Sequence, residues 1–274
     1  PQWYASALNN LGTAHWNLAQ HQPGLAAARS LRAAISAYER ALACYVPDPA
    51  AMTWPRAVAA LPAGLAHQLA PDSSYGTIQA NRATAYLLLA QYDSRRETGG
   101  LGLNCLQAAI ASCEIALKYR PLGDRPATYA ATQNNLGTAW AQLADRLTEP
   151  EARHPARQAA IAACEAALSV DRSIGVGFDR AATAAQLAHL RYQWATDPTS
   201  DLSPEAAIEL LHQSLADRVA CLQGWQNQGD RHNLTIYALA QTVNRLYQLG
   251  GVTAQAKALA AIPAHWVGQV LACL

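Results

Sequence analysis

The chain has 274 residues, of which 51% are hydrophobic and only 14% are charged, and its net charge is +1. A chain of this length buries about three quarters of its unfolded surface, so its stability requires neither disulfides nor a structural metal. The low net charge argues against nucleic-acid binding, which favours a strongly basic surface. No apolar run in the sequence reaches the roughly 18 residues that a membrane-spanning helix needs.

The first predicted element is a helix around the stretch "ALNNLGTAH", Ala7 to His15. A near copy, "TQNNLGTAW", begins at Thr132, and a looser copy, "QANRATAYL", begins at Gln79. Aligned on the leucine-glycine step, the chain has four such marks: Leu11-Gly12, Arg82-Ala83, Leu136-Gly137 and Leu187-Ala188. We interpret each mark as the centre of one copy of a helix, which we name helix A.

A second pattern, A-I-x5-[A/S]-L, follows each copy of helix A. Its four copies span residues 34–42, 109–117, 160–168 and 207–215. The recurring residues lie one, seven and eight positions after the first alanine, which places them on one stripe of a helix. We name this helix helix B. The sequence therefore predicts helix A followed by helix B four times. A fifth, weaker unit begins near Asn233, and no run of alternating β-branched residues indicates a strand.

Small residues recur where the two helices of one unit are expected to touch. Packed helix axes lie about 8–10 Å apart, and the closest approach needs a small side chain. Glycine inside a helix costs about 1 kcal/mol relative to alanine, so Gly12 and Gly137 need a packing reason of this kind. We expect the small residues of helix A (Gly12, Ala83, Gly137 and Ala188) to face those of helix B (Ala34, Ala109, Ala160 and Ala207).

Together the two patterns resemble the tetratricopeptide repeat (TPR), and "NNLGTAW" is similar to the kinesin-light-chain-like variant with long helices. Trp140 and Tyr86 match the aromatic position of helix A, and Pro121 matches the proline that follows a repeat. The resemblance implies an all-α fold, namely an α-solenoid (TPR-like superhelix) of about five antiparallel helix pairs. It also implies a single domain over residues 1–274, in which 253–274 form C-terminal capping helices.

The spacing of the repeats is wider than the family's usual 34 residues. From Gly12 to Ala83, Gly137 and Ala188, the successive steps are 71, 54 and 51 residues. We assign the extra length to extended loops between helix A and helix B, at residues 21–30, 93–104, 148–157 and 196–204, which are rich in Pro, Gly, Ser and charge. A larger insertion at 47–74 is interpreted either as a segment packed in or beside the groove or as a mobile docking arm.

Candidate partner-binding residues lie beside the leucine-glycine step. Asn10, Asn81, Asn135 and Gln186 directly precede the leucine or its substitute, and Thr13, Thr84, Thr138 and His189 follow three residues later. The resemblance implies that these side chains line a concave groove. A side-chain amide offers both donors and an acceptor to a peptide main chain. The alternative is that each amide bonds to the neighbouring repeat.

No sequence motif indicates catalysis, because G-x-S-x-G, H-E-x-x-H and EF-hand spacings are missing from the sequence. We therefore expect no catalytic residue, no metal and no cofactor. The glycine-rich stretches at 99–104 and 175–178 are interpreted as helix-capping loops rather than phosphate-binding loops. The six cysteines are interpreted as core residues in a reducing compartment, which favours a cytoplasmic location.

Glu39, Glu114 and Glu165 recur at one position of helix B. This recurrence indicates a solvated helix face or a repeat-to-repeat contact rather than a catalytic carboxylate pair. The function expected from the sequence is a protein–protein interaction scaffold, adaptor or assembly factor that binds a protein or peptide segment in the concave groove. The alternatives are a regulatory or sensor TPR region of a longer multidomain protein and, third, a stand-alone enzyme.

Overall fold

Helices make up the regular structure in a computed structural model of the chain, which describes residues 1–45, 69–93, 100–225 and 228–274. Across these residues there are ten helices and no strand, apart from an isolated bridge between Tyr45 and Leu69. The helices are α1 (Gln2–Gln20), α2 (Gly24–Leu42), α3 (Ser73–Asp93), α4 (Leu101–Lys118), α5 (Pro126–Ala144), α6 (Pro150–Ser169), α7 (Arg180–Thr196), α8 (Pro204–Gly224), α9 (Gly229–Ala260) and α10 (Ala264–Leu271). The predicted all-α class is confirmed.

The chain divides into two compact units, Pro1–Arg146 and Leu147–Leu274. In the first unit each helix from α1 to α5 packs on the next, and in addition α1 contacts α3 and α3 contacts α5. In the second unit each helix from α6 to α10 packs on the next. The boundary falls between α5 and α6, which the repeat pattern assigns to one helix pair. The packing of that pair and the single domain over 1–274 stay predictions.

The repeat pattern correctly located the helices of both kinds. The leucine-glycine marks lie in α1, α3, α5 and α7, and the A-I-x5-[A/S]-L copies lie in α2, α4, α6 and α8. We call α1, α3, α5, α7 and α9 the A helices, and α2, α4, α6 and α8 the B helices. The region predicted as a fifth unit, from Asn233 onward, is helical because α9 covers it. That it forms a fifth repeat stays a prediction.

Close packing within the first pair explains Gly12. A Cβ atom at Gly12 of α1 would lie 2.5 Å from the ring of Tyr38, which is buried on α2. In the fourth pair, the Ser214 hydroxyl of α8 donates to the carbonyl oxygen of Ala188 on α7 at 2.7 Å. Gly12 and Ala188 thus lie where helix A meets its helix B, as predicted, but the contacts shown there are with Tyr38 and Ser214. That these small residues face Ala34 and Ala207 stays a prediction.

Two of the four predicted extended loops are wrong. The connections are short at 21–23 and 145–149, because α2 already begins at Gly24 and α6 at Pro150. Proline and glycine near a helix start were read as loop markers, but proline is well suited to the first helical turn. At these two places the extra length is therefore mainly helical, whereas the loop at 197–203 is close to its predicted extent. Residues 94–99 of the predicted loop at 93–104 lie outside the described residues.

Two further predicted segments can be located only in part. Within the insertion at 47–74, residues 47–68 lie outside the described residues, and the last two residues already belong to α3. At the C-terminus, α9 is broken at Gly251, whose φ of 66° is left-handed, and α10 follows. Residues 253–274 are thus largely helical, while their role as caps stays a prediction.

Two of the three recurring glutamates of the B helices, Glu39 and Glu165, contact the next A helix. The Tyr86 hydroxyl of α3 donates to Glu39 of α2 at 3.0 Å. In the second unit, Arg191 of α7 forms an ion pair with Glu165 of α6. Tyr86 and Arg191 stand at the same repeat position, four residues after the leucine mark or its substitute. The predicted repeat-to-repeat contact is confirmed for both glutamates, and it has the same register in both units.

Candidate functional site

Six of the eight candidate residues lie together in the first unit, and we call them the amide row. The row comprises Asn10 and Thr13 of α1, Asn81 and Thr84 of α3, and Asn135 and Thr138 of α5. Asn10 is exposed and the other five are half-buried. The three helices are held side by side through the contacts of α3 with α1 and with α5. The row therefore runs across three neighbouring helices.

Two amides of the row bond to the neighbouring A helix. Nδ2 of Asn81 donates to Oδ1 of Asn9 at 3.0 Å, which joins α3 to α1. Nδ2 of Asn135 donates to the Thr84 hydroxyl at 3.1 Å, which joins α5 to α3. The alternative that the sequence left open, a bond to the neighbouring repeat, is what these two side chains form. Their role in binding a partner stays a prediction.

The threonines of the row are anchored to their own helices. The hydroxyls of Thr13, Thr84 and Thr138 donate to backbone carbonyl oxygens four residues earlier, at 2.9–3.1 Å. This local bond is common for threonine in helices. It leaves the hydroxyl oxygen as an acceptor, and Thr84 uses that oxygen to accept from Asn135. The threonines thus contribute fixed acceptors along the row.

The face around the amide row is mainly polar and carries no charge. Positions one turn on either side of the row, spaced as i, i+4, i+7 and i+11, share its helix face. The side chains on this face are Ser6, Asn10, Thr13 and Asn17 on α1, Thr77, Asn81, Thr84 and Leu88 on α3, and Ala131, Asn135, Thr138 and Gln142 on α5. Oε1 of Gln142 is buried and has no hydrogen-bond partner. The face therefore offers amide and hydroxyl groups without any fixed charge.

The two remaining candidates, Gln186 and His189, lie on α7 in the second unit. Gln186 is half-buried and His189 is exposed. They occupy the repeat positions of Asn10 and Thr13, so the sequence alignment correctly placed them on an A helix. Their participation in one site with the amide row stays a prediction.

An ionic cluster in the second unit was missed by sequence reasoning. Asp197 follows α7 and accepts hydrogen bonds from Arg153 and Arg157 of α6, at 3.1 and 3.0 Å, and from the Thr199 hydroxyl at 2.6 Å. Its side chain is only 9% exposed. Burial by itself would raise the pKa of Asp197, but the Thr199 and Arg157 hydrogen bonds and the charge of Arg153 outweigh it and lower the pKa well below its usual range. The cluster fastens the α7–α8 loop to α6.

A buried arginine in the first unit was also missed. Arg82 replaces the leucine of the leucine-glycine step, and it is 4% exposed. Its Nε donates to the Ser112 hydroxyl of α4 at 3.1 Å, and burial lowers its pKa. The signal was present in the sequence, because a charged residue at a core position of a repeat is unusual.

Each unit has a cavity between its helices. The cavity in the first unit, of about 350 Å³, is bordered by α2, α3 and α4 and includes Glu39, Tyr86 and Leu89. The cavity in the second unit, of about 450 Å³, includes Arg172, Arg180 and Asp217. Among the described residues that line them there is no histidine, so neither contains a Ser-His or Cys-His pair of the kind used in nucleophilic catalysis.

The cysteines are free thiols, and five of the six are buried. Burial raises the pKa of Cys113, Cys164 and Cys221 to about 12. These thiols therefore stay protonated near neutral pH, as core residues do. Over the part of the chain that the structure describes, no three His, Cys, Asp or Glu side chains converge as metal ligands, and no helix is both long and apolar enough to cross a bilayer.

No protein-family model matches the chain, and neither a curated protein nor a solved structure matches it. The likeness to TPR proteins therefore depends on the repeated residues and their spacing.

Proposed function

We propose that this protein is a TPR-like α-solenoid that acts as a non-enzymatic scaffold, adaptor or assembly factor in the cytoplasm. Its partner is a protein segment whose main chain lies across the amide row. The observation that supports this proposal most strongly is the uncharged, hydrogen-bonding face that α1, α3 and α5 share.

The chemistry of this face suits a polypeptide main chain. In the hydrogen bonds found among the described residues, Asn81 and Asn135 use Nδ2. Each amide therefore keeps its Oδ1 as an acceptor for a peptide N–H group. Because Nδ2 is held by the neighbouring helix, the side chain is fixed before binding and loses little entropy when a peptide arrives. An uncharged face also predicts binding that depends weakly on salt.

Two substitutions on the exposed end of the row test this proposal. Asn10→Arg with Asn17→Arg places two long cations on the face of α1, where both native side chains are exposed. We expect the main partner recovered from native lysate, quantified by mass spectrometry, to fall about tenfold relative to the unmodified chain. The melting temperature should not change, because neither residue is buried.

The matched control is Gln107→Arg with Ala111→Arg, two exposed positions on α4. This variant adds the same charge to the same unit but on a B helix, and it should recover the partner normally. If both variants lose the partner equally, or if neither does, the amide row is not the binding surface.

A further inference from the structure

The cavity of the second unit lies at one end of three helices. It has a volume of about 450 Å³ and is bordered by the end of α6 with the loop that follows, by the first turns of α7 and by the last turns of α8. Small-molecule sites in proteins commonly have volumes of about 300–1,000 Å³. The cavity is therefore large enough for a ligand that consists of one ring and its substituents.

Aromatic rings occupy the corresponding place in the first unit. Tyr75 of α3 packs edge-on between Tyr45 and Tyr119, with ring centroids 5.2 and 5.1 Å apart, and it is 2% exposed. Counted from the leucine mark or its substitute, Arg180 of α7 has the repeat position of Tyr75. Counted from the end of the helix B pattern, Asp171 has the position of Tyr45. The second unit thus has charged side chains at two positions where the first unit has packed rings.

Small side chains leave this place open in the second unit. Ala184 of α7 stands where α3 has the fully buried Gln79. Ala220 and Gly224 border the cavity from α8, and Leu168 borders it from α6. These residues form an apolar wall, against which a flat apolar group can pack.

Two arginines border the cavity without a carboxylate partner. Among the described residues, no ion pair includes Arg172 or Arg180. The guanidinium of Arg180 is held in place, because it donates to the carbonyl oxygens of Leu168 and Val170 at 2.5 and 3.0 Å. A guanidinium has five N–H donors, so Arg180 keeps donors for a ligand. Arginine binds carboxylate and phosphate groups well because its planar fork matches their oxygen atoms.

The acidic residue that borders the cavity is already paired. The carboxylate of Asp217 accepts from Arg191, which also forms an ion pair with Glu165. Asp217 therefore does not neutralise the two arginines, and the cavity favours an anion.

A buried donor beside the cavity also lacks a partner. Trp225 follows Gly224 and packs in one cluster with Leu168, Ala181 and Ala184, all of which border the cavity. It is 7% exposed, and among the described residues its indole N–H has no hydrogen-bond partner. Because buried donors usually bond to an acceptor, this N–H is a second feature that favours a ligand carrying oxygen atoms.

We propose that this cavity binds a small organic anion that carries a carboxylate or a phosphate on an aromatic ring. Arg172 and Arg180 bind the anionic group, and the ring packs on the apolar wall, in the place that Tyr75 fills in the first unit. Such a ligand contacts α6, α7 and α8 together, so its binding stabilises the second unit. The site is independent of the amide row, which belongs to the first unit.

Four probes test the ligand class. Phenyl phosphate and benzoate carry both the ring and the anion, benzamide has the ring without the charge, and inorganic phosphate has the charge without the ring. Binding to the whole chain is followed by two-dimensional NMR of the labelled protein, with each probe added up to about 10 mM. We expect at least one aromatic anion to bind with a Kd of about 1 mM, and benzamide and inorganic phosphate to bind at least about tenfold more weakly. The shifted signals should lie in 168–184 and 217–224, and the tighter of the two aromatic anions identifies the anionic group.

Two variants test the position of the ligand. Arg172→Gln should weaken binding about tenfold through the loss of one charged hydrogen bond, without changing the melting temperature, because Arg172 is exposed. Its control is Arg29→Gln on an exposed position of α2, which makes the same change of charge. Ala220→Leu fills the cavity from a half-buried position and should abolish binding, whereas Ala216→Leu, on an exposed position of α8, should not.

Four results would overturn the proposal. The first is that neither aromatic anion shifts these signals, and the second is that benzamide binds as tightly as the anions. Inorganic phosphate that binds as tightly as phenyl phosphate would identify an adventitious ion only. Unchanged affinity in both Arg172→Gln and Ala220→Leu would mean that the ligand binds elsewhere.

Discussion

The polar contacts between helices differ between the two units, although both units also place a recurring glutamate against the next A helix. In the first unit the A helices are joined by uncharged groups, through Asn81 to Asn9 and Asn135 to Thr84. In the second unit the helices and their loops are joined by ion pairs, which include those of Asp197, Arg191 and Arg231. One repeat pattern thus supports two kinds of polar contact, which respond differently to acid and to salt.

The largest effect is expected at Asp197. Asp197→Ala leaves the buried Arg157 and the half-buried Arg153 without their shared carboxylate, so we expect the second unit to lose about 3–5 kcal/mol of stability. Hydrogen exchange of the 150–203 segment should accelerate, while the first unit is unaffected. Asp201→Ala, an exposed position in the same loop, is the matched control. Equal exchange in the two variants would contradict a structural role for the cluster.

The second-largest difference in stability between the two units is expected in acid. The folded pKa of Asp197 is lowered, so its contribution to stability is fully present above the unfolded value of about 3.9 and is lost as the pH falls through the folded pKa. As the pH falls, we expect protection from hydrogen exchange to be lost in the 150–203 segment before it is lost in α1 and α3. The Asn81 side chain, which joins α1 and α3, does not titrate. Asp197→Asn should remove most of this pH dependence. Loss of protection at the same pH in both units would contradict this role of Asp197.

The third-largest loss of stability is expected from a change in the close packing of the first unit. Gly12→Ala forces a methyl group against the Tyr38 ring. Overpacking costs about 1–3 kcal/mol, and the better helix propensity of alanine offsets up to about 1, so we expect a net loss of about 1–2 kcal/mol. Gly268→Ala in α10, where nothing lies within 4 Å of the added Cβ, should instead be neutral or stabilising. Denaturant titration compares the two variants.

The side-chain hydrogen bonds of Asn81 and Asn135 should contribute less to stability, and salt should not change their contribution. Asn81→Ala and Asn135→Ala each remove one uncharged hydrogen bond, which is worth about 1 kcal/mol. Thermal melts of each variant at low and high salt should show the same difference from the unmodified chain. A difference that shrinks at high salt would mean that these contacts are not the neutral bonds described above.

The smallest effect is expected at the exposed ion pair of the second unit. Arg231 and Asp179 have side chains that are 53% and 45% exposed. Such pairs contribute about 0–1 kcal/mol and are screened by salt. Arg231→Ala should therefore lower the melting temperature by at most a degree or two at low salt and not at all at high salt. A loss as large as that of Asp197→Ala would remove the distinction between buried and exposed pairs.

The sequence identified the helices, and it placed Gly12 and Ala188 at contacts between helix A and helix B, because both depend on local spacing. The leucine-glycine marks and the A-I-x5-[A/S]-L copies all lie in helices, and Gly12 meets α2 as expected. The loop lengths were overestimated, since proline and glycine were taken as loop markers where they begin helices. Arg82 and Asp197 were missed as structural residues, because their partners are separated from them by 30 or more residues in sequence.

The sequence by itself therefore determined that helices of two kinds recur along this protein. It also determined which face of each helix is apolar, because residues three or four positions apart lie on the same face of a helix. Only the tertiary structure decided what covers each face. It gave Asn81 and Asn135 their hydrogen-bond partners, Asn9 and Thr84, on neighbouring A helices. These outcomes depend on segments 50 or more residues apart, whose approach no local pattern specifies.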